Sequence, residues 1–136
     1  MTHFADLSPY SYSAPTPPAL NVGWLSSEHE YSRGPTPHGL LPRLRELAKN
    51  PENVYRGVHF CELCPTLDAA GEHLDSEGLF LGSGEIWVTG SSEVAYAAPL
   101  LIVHYVADHG YLPPEEFCAA VFEASSGSRS GPGTGL

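Results

Sequence analysis

The chain has 136 residues, 42% of them hydrophobic, with 14 glycines and 13 prolines, which fits one globular domain of short elements joined by many turns. Six basic residues oppose sixteen acidic ones, a formal charge of −10, so the surface repels nucleic-acid phosphates and anionic lipid and would attract a basic protein partner. No apolar run reaches the roughly 18 residues needed to span a bilayer, and the N-terminus lacks the basic and apolar regions of a secretory signal, so a cytoplasmic protein with no membrane or nucleic-acid partner is expected.

Residues 1–19 are rich in Ser, Pro and Tyr. Pro15, Pro17 and Pro18 exclude a helix there, and an extended arm is expected, pinned to the body by Phe4, Tyr10 and Tyr12. The domain proper is expected over 20–124. Leu20 to Leu25 alternates apolar with small or polar residues, as a short strand does. Thr36-Pro37 could cap a helix, but Pro42 would then fall inside it, so a start near Leu41-Pro42 is expected. Leu40, Leu41, Leu44, Leu47 and Ala48 form its apolar face, Arg43, Arg45, Glu46 and Lys49 its solvated face, and Asn50-Pro51 its stop.

Val54 to Phe60 reads as a second strand leading into Cys61, and residues 65–83 as an irregular acidic loop. Glu85–Thr89 and Glu93–Tyr96, joined by Gly90-Ser91-Ser92, read as a β-hairpin. Pro99 is expected to open an apolar, buried central helix ending near His109, with Gly110 as its stop. Pro113-Pro114-Glu115-Glu116 opens a last helix whose core face is Phe117, Val121 and Phe122. Residues 125–136 have too little apolar surface to order themselves and read as a disordered tail. The expected fold class is α+β: a small single domain with short antiparallel strands and a hairpin packed on about three helices, with a zinc knuckle in a treble-clef-like or zinc-ribbon-like arrangement.

Three cysteines are an odd number, and Cys61 and Cys64 form a C-x-x-C, which favours a metal or redox role in a reducing compartment over a disulfide framework. A tight turn can direct both sulfurs at one tetrahedral zinc ion. His104 in the apolar helix is the third candidate ligand. Alone it would read as a hydrogen-bonded core residue, but a knuckle, a hairpin and a helix in that order are parts of a small zinc domain. The fourth position has two candidates. His109 gives H-x4-H, although a regular helix turns its side chain about 140° from His104, so the helix end must loosen, as Gly110 permits. His59 lies two residues before Cys61 and on a strand would face the same way. Either histidine could equally be a plain helix-end or strand residue.

A redox dithiol is the rival for Cys61 and Cys64, but redox pairs sit at helix N-termini, and here a strand precedes and Pro65 follows. Cys118 reads as a small core residue. His3, His29, His38 and His73 have no paired spacing. A catalytic zinc would need an open position beside a carboxylate such as Glu62 or Glu85. The H-x-E…P-C-x-x-C and H-E-x-x-H patterns are both absent.

Several segments together resemble a family of small, mostly actinobacterial proteins of uncharacterised function. They are Leu20 to Leu25, Arg56-Gly57-Val58-His59-Phe60-Cys61-Glu62-Leu63-Cys64, Gly84-Glu85-Ile86-Trp87-Val88, Tyr96-Ala97-Ala98-Pro99, and His104 to Tyr111 with Pro113-Pro114 and Phe117. The resemblance covers most of residues 5–122 and implies a compact bacterial domain without an assigned activity; the acidic stretch at 65–83 is longer than the family's usual loop. The leading expectation is a zinc-stabilised protein-interaction or accessory module. A small zinc hydrolase and a thiol-based redox or zinc sensor are the alternatives, with an enzyme ranked below a binding module.

Overall fold

The structure is a computed structural model that describes residues 4–9, 19–52, 61, 63–64, 78–90 and 94–125. In chain order its elements are β1 (Ala19–Asn21), α1 (Leu40–Ala48), β2 (Glu85–Thr89), β3 (Ala95–Pro99), α2 (Ile102–His109) and α3 (Glu115–Ser125). The expected strand at 54–60, the loop at 65–77, Tyr10, Tyr12 and the tail beyond Ser125 lie outside the described residues.

β2 sets Ile86 and Val88 between Glu85, Trp87 and Thr89, whereas β3 is buried at every position. β2 and β3 pair antiparallel with Trp87 opposite Ala97 and Glu85 opposite Pro99. β3 is the middle strand of a sheet ordered β1-β3-β2. The sheet is mixed rather than antiparallel throughout, because β1 lies parallel to β3 with Leu20 opposite Tyr96. Parallel neighbours need a long crossover, and the chain between β1 and β3 contains α1. β1 is also shorter than the expected strand. Gly23 adopts φ 79, a left-handed conformation that ends the extended run, and a Cβ there would lie 2.9 Å from Ile102 Cδ1.

Pro99 does not open α2, as expected from the sequence; it ends β3. Leu100 continues the ladder by donating its N–H to the Gly84 carbonyl (3.2 Å), and the helix begins at Ile102 after a turn. A proline at the last position of a strand leaves only one ladder donor missing. In α1, the N-cap is Gly39 at φ 84 with no side-chain cap, so Pro42 sits in the first turn, where its missing N–H has no helical partner to lose.

One sheet face, with Ile86, Val88, Tyr96 and Ala98, joins the main core. Leu40 and Leu44 of α1, Ile102, Val103 and Tyr105 of α2, and Phe117 and Val121 of α3 complete it. The other face carries the small residues Ala19, Ala95 and Ala97, with Trp87 packed against them. The segment 4–9 is tied to the body. Phe4 meets Trp24 edge-on at 5.5 Å, Leu7 N–H donates to the Asn21 carbonyl, and Asn21 N–H donates to the Ser8 carbonyl. Asp6 accepts from the Gly23 N–H (3.0 Å) and the buried Tyr111 hydroxyl (2.8 Å). Among the described residues no helix is long and apolar enough to cross a membrane.

Candidate metal centre

Helix α2 has two unlike flanks. Ile102, Val103, Tyr105 and Val106 are buried in the core, while His104 and His109 are half-buried. Two imidazoles five residues apart diverge on a regular helix, as noted above. Here the last turn widens. The N–H groups of Gly110 and Tyr111 both donate to the Tyr105 carbonyl, five and six residues back instead of four. Gly110 takes φ 67, which lets the chain turn away directly after His109. The outcome is that His104 Nε2 and His109 Nε2 come within 3.2 Å, their rings nearly perpendicular at 82°.

The C-x-x-C turn brings its sulfurs to the same point. Leu63 and Cys64 pack against the main core, which anchors the turn, and Cys61 is itself buried. Cys61 Sγ lies 3.4 Å from His109 Nε2, and Cys64 Sγ lies 3.3 Å from His104 Nε2 and 3.7 Å from His109 Nε2. One ligand atom from each of Cys61, Cys64, His104 and His109 falls within 4.8 Å of all the others. Such a Cys2His2 cluster could hold one metal ion. His59, the other candidate for the fourth position, lies outside the described residues, as does Glu62.

Burial pushes the Cys61 thiol up to about 11, with the neighbouring Cys64 adding to it. Burial, followed by the nearby His104, holds His109 below the usual imidazole range and so keeps it neutral, the form that ligates metal. A thiolate is costly to form in this environment without a compensating positive charge.

Outside the cluster, the segment 31–34 braces the end of α2. The Tyr31 hydroxyl donates to the His109 carbonyl (3.0 Å), Gly34 N–H donates to the Gly110 carbonyl, and Leu112 N–H donates to the Ser32 carbonyl. His104 Nδ1 donates to Asp108 Oδ2 at 2.8 Å. The C-x-x-C and H-x4-H spacings point to neither Tyr31 nor Asp108. Asp108 was accessible through its i, i+4 spacing from His104 on a helix; nothing local marks Tyr31.

The remaining candidates lie elsewhere. Glu85 is buried and accepts a hydrogen bond from Trp87 Nε1 (2.8 Å), and it does not join the cluster. Cys118 is buried in α3, and His29 and His38 sit exposed outside the cluster. Neither a curated protein nor a solved structure matches the chain. A family model described as a domain of unknown function, DUF7919, matches residues 2–122, a span that holds the arm, the C-x-x-C and both histidines, and the chain belongs to that family.

Proposed function

We propose that the protein binds one zinc ion through Cys61, Cys64, His104 and His109, and that this ion is structural. The observation that carries the reading is the set of donor separations. Zinc held tetrahedrally at about 2.3 Å from sulfur and about 2.0–2.1 Å from nitrogen sets a sulfur and a nitrogen about 3.5 Å apart and two nitrogens about 3.4 Å apart. Three of the four sulfur–nitrogen separations are 3.4, 3.3 and 3.7 Å, the nitrogen–nitrogen separation is 3.2 Å, and all four donor atoms lie within 4.8 Å of one another. Mixed thiolate and imidazole donors in this geometry favour zinc over magnesium, calcium or manganese, which take oxygen.

Four protein donors complete a tetrahedron, so the ion keeps no open position for substrate, and the structural role ranks above hydrolytic chemistry. The zinc would tie the knuckle to the end of α2. The three free thiols fit the reducing cytoplasm of an actinobacterial cell, and the −10 charge fits a basic protein as the partner of an accessory or interaction module.

Elemental analysis of the purified protein is expected to return about one zinc per chain, as a single tetrahedral site implies. Cys61→Ser and His109→Ala should each lose most of it, while His59→Ala should keep it. Zinc retained by His109→Ala and lost by His59→Ala would overturn the ligand set. Full metal content in Cys61→Ser would overturn the site itself.

A further inference from the structure

Asp108 of α2 touches the cluster through His104 without belonging to it. The His104 ring has two nitrogens with separate tasks. Nδ1 lies 2.8 Å from Asp108 Oδ2, and Nε2 points into the cluster, 3.3 Å from Cys64 Sγ and 3.2 Å from His109 Nε2. A carboxylate only accepts, so Nδ1 must carry the hydrogen. In the neutral ring that leaves the lone pair on Nε2, the atom that faces the other three donors. The same hydrogen bond fixes the rotation of the ring about its χ2 bond.

The helix itself gives no reason for an aspartate at this place. Asp108 lies in the last turn of α2, one residue before the helix ends. A negative charge there opposes the helix dipole, which favours cations at the C-terminus. The Asp108 side chain is 63% exposed, so its ion pair with His104 adds little to the stability of the fold. A residue that is locally unfavourable, solvent-exposed and aimed at a ligand's back nitrogen fits a role outside folding.

The geometry assigns Asp108 as a positioning residue for the metal: it sets the tautomer and orientation of His104 and so raises the affinity of the site. This rests on the proposed zinc site. Partners of this kind behind ligating histidines are worth roughly 10–100-fold in metal affinity.

The test is competitive zinc titration against a chromophoric chelator, run on the full chain for wild type, Asp108→Ala and Asp108→Asn, with melting followed in excess chelator. Asp108→Ala is expected to weaken zinc binding by roughly 10–100-fold. Asp108→Asn retains an oxygen that accepts from Nδ1 and should recover most of that loss. In chelator, neither variant should melt below wild type, because the fold loses an unfavourable helix-end charge. The cobalt-substituted protein adds a spectroscopic readout: its ligand-field bands should shift in Asp108→Ala and return in Asp108→Asn.

Affinity within about twofold of wild type in Asp108→Ala, with tight wild-type binding, would overturn the positioning role and leave the zinc site standing. A lower melting point in chelator, in proportion to the lost affinity, would make Asp108 a plain helix residue and also overturn it. Absence of zinc binding in wild type would instead remove the parent reading, so the two failures are distinct.

Discussion

One flank of α2 carries Ile102, Tyr105 and Val106 into a sealed apolar core; the other carries His104 and His109 towards two sulfurs at a half-exposed edge. The first flank is held by many small, non-directional contacts, the second by a few donors whose positions must agree to within a few tenths of an ångström. The core side already joins α1, α2, α3 and the hairpin, and it reaches the arm through Asp6 and Tyr111. A metal on the other side would therefore staple a fold that the core already holds, unlike a zinc finger, where the ion replaces the core.

The strongest way to break this comparison is to cut the core and ask whether zinc can compensate. Phe117 is fully buried and meets Tyr96 edge-on at 6.1 Å. Phe117→Ala should cost about 3–5 kcal/mol from lost burial and the cavity left behind. Urea unfolding, with saturating zinc and again with chelator, should give the same loss in both. A loss that zinc cancels would mean that the staple, and not the core, carries the fold.

Chelation is the converse and should do less. At a free zinc concentration a hundredfold above its dissociation constant, the ion adds about 2.7 kcal/mol. Removing it should lower the melting temperature while far-ultraviolet circular dichroism keeps the helix signal. Collapse of that signal on chelation would place the protein with the metal-dependent folds.

A smaller effect tests whether the arm belongs to the core side. Asp6→Ala would leave the fully buried Tyr111 hydroxyl without this acceptor and the Gly23 N–H without its carboxylate. A buried donor left unsatisfied costs about 1–3 kcal/mol. The loss should appear in urea midpoints, with zinc affinity unchanged. A matching fall in zinc affinity would show that the arm and the cluster are coupled through α2.

The two flanks were also unequally legible in the sequence. Local rules found the hairpin, because the alternation in β2 and the turn signal at Gly90 are local, and the start of α3, because two prolines and two glutamates mark a helix N-terminus. They misplaced the start of α2. From Val94 to Val103 the chain carries no charged or strongly polar residue, so no change of period marks the passage from β3 to α2, and Pro99 suits either reading. The parallel pairing of β1 with β3 and the Asp6–Tyr111 contact join residues far apart in the chain, which propensity does not report. At the cluster, the C-x-x-C and the two helix histidines carried the donor chemistry. The widened turn at Tyr105–Tyr111 that brings His104 and His109 together depends on backbone geometry that spacing alone does not specify.

The smallest effect lies at high pH and concerns the core side alone. Tyr96 is buried and donates to Glu116 Oε2 at 2.7 Å. Burial first, and then the hydrogen bond to and charge of Glu116, push its phenol up to about 12. Tyr111 is displaced in the same direction, by burial and then by Asp6. An unfolded tyrosine ionises near 10, so between that pH and the folded value the native state holds a proton that the unfolded state has released. The stabilisation from Tyr96 is therefore complete below about pH 10 and declines as pH rises towards 12. Phenolate absorbance during base titration should show Tyr96 and Tyr111 ionising only as the fold gives way. Glu116→Gln should bring the Tyr96 step down. Chelation should leave it in place, since Tyr96 packs against Phe117 on the core side; a shift of that step on metal removal would show that the two flanks of α2 do not act independently.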